Sequence, residues 1–264
     1  MTDMKLKRMI AAQAAAFPGK VAYLYQPLAM DRPQISHLSR DRVVSASTIK
    51  VPIMMAVLDR VGREHLDLST ARLPLPASAI LPDNRCYGYG PRDVSLRELL
   101  YWMITVSDNT STNVIIDWMG MDALNAYCSG LGLRRTSVQR HMLDWEAVRA
   151  GRNNYISLDD FRTCFMLLRN GPALTARYRR LALEILMENR DGGSLKRYLA
   201  TGWPVAHKSG GLDDIVHDGG IFYRPGRPYF LGVFISEFNP GPDSTQAAEA
   251  LIGAISRMVS EDEG

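Results

Sequence analysis

The sequence predicts an α+β fold: a five-stranded antiparallel sheet drawn from both chain ends and flanked by helices, with an all-helical lobe inserted. Three observations lead there. Strand-like segments occur near residues 20–26 and 34–45 and again after residue 200, while helical periodicity fills the middle from about residue 47. The few N-terminal strands cannot stand alone, so they need the C-terminal ones as partners. The expected division is 1–46 with 203–264 as an α/β lobe and 47–202 as the helical lobe, together one two-lobed unit.

Taken in order, the apolar stretch Met9–Phe17 follows Lys5, Lys7 and Arg8 and resembles a short signal peptide. Gln13 interrupts it and strand-like sequence follows at once, so it reads as the first amphipathic helix. Pro18-Gly19 marks a turn before the strand Lys20–Gln26, and Ile35–Leu38 and Val43-Val44 are the next strand candidates. Leu96, Leu99, Leu100, Met103 and Ile104 form one apolar helical face, opened by a capping box of Ser95 and Glu98. Ser157 starts another helix that stops at Asn170-Gly171-Pro172. Trp203–Ser209, Ile215–Arg224 and Pro228–Glu237 read as strands, with Gly226 in the last hairpin, and Thr245–Ser260 closes the chain as a helix.

Composition excludes whole classes of function. Hydrophobic residues at 46% supply enough apolar surface to offset the ordering entropy, which excludes a disordered chain. No apolar run is long enough to span a membrane. A net charge of +3 gives no strong field for nucleic acid or anionic lipid, so neither is an expected partner. The basic run Arg177–Arg180 reads as a solvated helix face. Cys86, Cys128 and Cys164 show no metal-ligand spacing, and neither metal nor cofactor is expected. Free thiols and the reading of the N-terminal stretch as a helix make the expected location cytoplasmic; a secreted chain trimmed of its leader would read the same.

Three short motifs carry the chemistry. Ser47-Thr48-Ile49-Lys50 puts a hydroxyl and an amine one helical turn apart at a helix start. A desolvated lysine can take the serine proton, and helix N-terminal amides stabilise a developing oxyanion. Ser107-Asp108-Asn109 follows the amphipathic helix, and Lys208-Ser209-Gly210 ends a strand before Gly211. Each has a plain alternative: a helix cap, a turn, a strand end. Their joint occurrence by chance is under about 0.01 per chain, before order is imposed.

The order is helix start, helical-lobe loop, C-terminal strand, and in it the chain resembles the serine β-lactamase and penicillin-binding-protein superfamily, most closely class A β-lactamases. The resemblance covers nearly the whole chain and implies a β-lactamase/transpeptidase-like fold. It implies that Ser47 is the acylated nucleophile and Lys50 its proton acceptor. Ser107 would relay a proton to the leaving amine, and Asn109 would hold Lys50 and a substrate carbonyl. Lys208 would act on Ser107 and, with Ser209, attract a substrate carboxylate. The backbone N–H groups of Ser47 and Gly211 would form the oxyanion hole.

The match has departures. Class A enzymes place a water-activating glutamate in a Glu-x-x-Leu-Asn segment, and the best candidate here is Glu146. The residues after it are Ala-Val-Arg-Ala, so water activation and a surface carboxylate stand as equal readings. Where many class A enzymes carry an arginine, the alignment gives Gly219. Tyr87 or Tyr89, in the segment 83–90, is expected at the pocket mouth to stack on a substrate ring. His207 and His217 read as structural hydrogen-bonding residues.

The expected activity is therefore acylation and deacylation at Ser47 of a β-lactam or related cyclic amide, a small molecule bearing a carboxylate. An esterase, peptidase or biosynthetic acyltransferase on the same scaffold is the alternative, followed by a penicillin-binding sensor that does not turn over. The sequence is silent on oligomeric state.

Overall fold

The computed structural model describes residues 3–29, 34–84, 86–88, 90–190, 193–199 and 202–262. Five antiparallel strands form the main sheet: β1 (Lys20–Pro27), β2 (Ile35–His37), β7 (Val205–Leu212), β8 (Ile215–Phe222) and β9 (Tyr229–Ser236). Their order is β2-β1-β9-β8-β7, so the chain ends meet at the β1–β9 ladder, with Lys20 opposite Ser236 and Pro27 opposite Tyr229. β8 and β9 are buried at every position, as expected for strands covered on both faces.

One face is covered by the terminal helices α1 (Asp3–Ala15) and α9 (Pro242–Asp262). Leu6 and Ile10 of α1 and Ile252, Ile255 and Val259 of α9 are fully buried against Tyr229, Leu231 and Val233 of the sheet. Each such side chain contributes about 2 kcal/mol on burial. The other face meets the helical lobe through α7 (Leu158–Asn170), whose Ser157 cap accepts from the Asp160 N–H. A Cβ on Gly219 would lie 2.9 Å from the Phe161 ring, so the glycine on β8 lets α7 lie directly on the sheet.

The lobe comprises α2 (Lys50–Arg63), α3 (Leu96–Thr105), α4 (Asn109–Met119), α5 (Met121–Gly130), α6 (Trp145–Arg149), α7 and α8 (Ala176–Met187). α2 is its axis: ten of its residues are buried, including the whole run from Lys50 to Leu58. A helix apolar all round is a core helix.

Three sequence expectations change. The lobe is not purely helical, because β4 (Arg72–Leu75) pairs with β5 (Arg92–Ser95). Val43-Val44 (β3) does not join the main sheet; it pairs with β6 (Tyr155–Ile156). Ladders of two to four residues carry too little alternation to read from sequence, and Pro74 obscures the one in β4. The helix expected at Ser47 begins as a 3-10 turn over Ala46–Ile49 before α2. No helix among the described residues is long and apolar enough to cross a membrane.

Candidate active site

The three motifs converge. Ser47 lies in the 3-10 turn that feeds α2, and Lys50 is the first residue of α2, fully buried. Its Nζ donates to Ser47 Oγ at 3.1 Å, Ser107 Oγ at 3.1 Å, the Ser107 carbonyl at 2.7 Å and Asn109 Oδ1 at 2.8 Å. One ammonium thus links two hydroxyls and an amide from two helix starts.

Local backbone explains the convergence. Ser107 adopts φ +58°, a left-handed conformation that non-glycine residues rarely take and that aims its carbonyl and hydroxyl at the same amine. Asp108 then caps α4, its Oδ1 accepting from the Ser111 N–H and hydroxyl, both at 2.6 Å. That cap starts α4 at Asn109 and fixes the amide that reaches Lys50. Ala46, with φ +44°, makes a similar turn just before Ser47. Because an ammonium only donates, Asn109 must present Oδ1 to Lys50 and Nδ2 outward.

The third motif arrives on β7. Lys208 is fully buried and donates to the Ser209 carbonyl at 2.9 Å. Gly210 is where the strand touches the Ser47 turn: a Cβ there would lie 2.8 Å from the backbone nitrogen of Ser47 and 3.0 Å from that of Thr48. Only a residue without a side chain permits that approach. Gly211 comes next, and it lines a cleft of about 310 Å³ with Ser47, Asp83, Val106, Ser107, Asp108 and Asn109.

Behind β7, His207 Nδ1 lies 2.9 Å from Asp218 Oδ1, both fully buried, and Asp218 Oδ2 accepts from the Leu195 N–H. His217 stacks on Phe234 at 4.2 Å and places Nε2 3.1 Å from the Val44 carbonyl. Burial lowers its pKa to about 4, so the ring is neutral at neutral pH and donates that hydrogen bond from Nε2. Both histidines brace the strands around the site. Gly219, at the position where an arginine is missing, sits opposite Lys208.

Two expected residues lie elsewhere. The Tyr87 ring is buried in the core, and its hydroxyl bonds Ser111 Oγ at 2.8 Å; burial pushes that phenol's pKa well up. It is a wall support with no exposed face for stacking. Tyr89 falls outside the described residues. Glu146 is exposed on α6 and is not among the cleft-lining residues. Asp144 caps that short helix by accepting from the Ala147 N–H, so buried Ala147 faces inward and Glu146 faces out.

What the sequence reading missed is how the loop that carries Glu146 is anchored. Asn154 Oδ1 accepts from the N–H groups of Gln139 and Arg140, and its carbonyl accepts from Ser45, two residues before Ser47. Asn113, one turn along α4 from Asn109, holds Met142 by both backbone groups. The loop is therefore pinned at Ser45 and at Asn113, and it brings the backbone of buried Met142 against Asn113, one turn along α4 from Asn109. The spacing Asn109/Asn113 was a readable signal: two amides one turn apart on one face of α4, at the ends of the polar run Asn109-Thr110-Ser111-Thr112-Asn113.

Residues 5–262 match the model of the β-lactamase enzyme family. The chain belongs to that family. It is 24% identical over 249 residues to β-lactamase BRO-1 of Moraxella catarrhalis, covering 90% of this chain and 77% of that protein. Among solved structures it is similar to PBP-A (26% identity, TM-score 0.87, covering 99% of this chain and 96% of that one). A β-lactamase from Sphaerobacter thermophilus is similar to the same degree (26% identity, TM-score 0.85, covering 99% and 98%). A leucine-to-glutamate variant of PBP-A has been solved as its acyl-enzyme with penicillin G. The β-lactamase/transpeptidase fold and the enzyme assignment follow from this membership.

Proposed function

We propose that this β-lactamase-family enzyme forms an acyl-enzyme at Ser47 with a β-lactam or related carboxylate-bearing amide, and that it hydrolyses this intermediate slowly. The observation that carries the reading is Lys50 Nζ within 3.1 Å of both Ser47 Oγ and Ser107 Oγ. In its neutral form Lys50 takes the Ser47 proton as Oγ bonds to the acyl carbon. The N–H groups of Ser47 and Gly211 receive the oxyanion. The C–N bond then breaks, and the leaving nitrogen takes a proton from Ser107, which Lys50 restores. Asn109 Nδ2 donates to a substrate carbonyl, while Lys208 and Ser209 attract the carboxylate.

Slow release rests on the loop. Deacylation needs a base for the attacking water. Glu146 faces outward, Asp144 is taken up in capping α6, and the loop residue clamped to Asn113 is the apolar Met142, which argues against a carboxylate of this loop serving that step. This favours an acyltransferase or peptidase on the same scaffold over a fast β-lactamase. We also propose a cytoplasmic, reducing location, which the buried thiols of Cys128 and Cys164 support.

The test is intact-protein mass spectrometry over time with benzylpenicillin. A single adduct that persists for minutes and is absent in Ser47→Ala is expected. No adduct, or an adduct retained in Ser47→Ala, overturns the reading.

A further inference from the structure

Two carboxylates line the cleft: Asp108 is taken up in capping α4, and Asp83 has no part in the scheme above. Asp83 is exposed in the cleft wall, and its Oδ2 accepts from Asn109 Nδ2 at 2.7 Å. This carboxylate is held in place. Three successive residues at the start of α4 each grip the segment that carries it. Asn109 bonds Asp83, Thr110 Oγ1 accepts from the Leu81 N–H at 3.0 Å, and Ser111 Oγ bonds the Tyr87 hydroxyl at 2.8 Å. Asn84 closes the segment on itself, its Oδ1 accepting from the N–H groups of Cys86 and Tyr87. A carboxylate fixed by its neighbours presents its charge without an ordering cost.

Asn109 has two N–H bonds on Nδ2. One goes to Asp83, and the other is the donor assigned above to a substrate carbonyl. A substrate amide held there carries its acyl substituent past the Asp83 carboxylate. We propose that Asp83 is a specificity-determining residue that selects substrates with a free ammonium group on the carbon next to that carbonyl, that is, α-aminoacyl amides. It disfavours an anion at the same carbon. This inference rests on the proposed acylation of Ser47. It adds the substrate's chemical class: a cationic acyl end facing Asp83 and an anionic end facing Lys208 and Ser209.

Three penicillins test it, because they differ at that one carbon: ampicillin carries an amine, benzylpenicillin a hydrogen, carbenicillin a carboxylate. Second-order rates of Ser47 acylation are measured at about pH 6.5, where an α-amine is protonated. The expected order is ampicillin, benzylpenicillin, carbenicillin, with the two ends about tenfold or more apart in low salt. The spread narrows as salt screens the carboxylate. In Asp83→Asn the three rates converge to within about twofold of one another. Equal rates in the wild type, or a spread that survives Asp83→Asn, overturn the role of Asp83 alone. If Asp83→Asn fails to fold, the salt series on the wild type decides: a spread independent of salt overturns the proposal. No Ser47 adduct with any of the three overturns the acylation reading and this inference with it.

Discussion

Asn113 holds Met142 at both ends of its backbone: Nδ2 donates to the Met142 carbonyl at 3.2 Å, and Oδ1 accepts from the Met142 N–H at 2.7 Å. Leu143, the next residue, takes φ +60° and turns the chain away toward α6. The clamp thus fixes buried Met142 beside Asn113, while Glu146, further along, is exposed on α6. Asn113→Ala leaves both backbone groups of a buried residue without these partners. It is expected to cost about 2 kcal/mol in urea unfolding and to slow Ser47 acylation, measured by adduct formation.

Met142 and Glu146 separate by mutation. Glu146→Gln is expected to leave adduct lifetime within about twofold of wild type, since the carboxylate is exposed and is not among the residues that line the cleft. Met142→Glu puts a carboxylate in the clamped position and is expected to shorten the lifetime by about 10²-fold. Following adduct decay by mass after rapid removal of free penicillin reads both. Decay slowed strongly by Glu146→Gln would restore that residue to the mechanism.

The contact of Gly210 with the nucleophile's turn makes a sharp prediction. An alanine Cβ at 2.8 Å from Ser47 N forces β7 and the turn apart: the two nearest atoms it meets are backbone and the third is the Ala46 Cβ, none of which can swing aside. Gly210→Ala is expected to lower the acylation rate by about 10²-fold, with about 1–3 kcal/mol of stability lost. Near-normal acylation would show that the two segments need not touch.

His217 gives stability a pH dependence. Its folded pKa, about 4, lies below the ordinary value of 6.5, so the unfolded chain binds the proton more readily. The neutral ring's contribution is full above about pH 6.5 and is lost as pH falls toward 4, on the order of 3 kcal/mol across that window. Urea unfolding at successive pH values should show the decline, and His217→Gln should flatten it. An unchanged slope in the variant would remove His217 as the cause.

The cysteines differ in access. Cys128 and Cys164 are buried, and burial pushes the Cys128 thiol up to about 12 and Cys164 well above its usual range. Neither should react with a thiol reagent at about pH 8 until the protein unfolds, whereas Cys86 is only partly covered. Reaction of two or more thiols in the native protein contradicts this packing.

Much of the architecture was legible in the sequence, because long elements announce themselves. The apolar face of α3, the Ser157 cap of α7 and the three C-terminal strands fall within a few residues of expectation. Ser47 and Lys50 could be paired from their spacing of one helical turn, whereas Ser107 and Asn109 were joined to them only by the resemblance of the three motifs to the family pattern. Glu146 and Tyr87 could not be placed from sequence. A loop residue's direction depends on distant anchors, here Asn113 and Asn154 for the loop and Ser111 for Tyr87. The same holds for Asp83, whose meaning appears only when α4 lies beside it.

The most direct test of Ser47 as the acylated residue is peptide mapping after a brief exposure to benzylpenicillin. Tryptic cleavage after Arg42 and Lys50 isolates residues 43–50, which hold Ser45, Ser47 and Thr48. The penicilloyl group is expected on this peptide, with fragment ions placing it at Ser47. A label at Ser107, on another peptide, or nowhere would contradict the account.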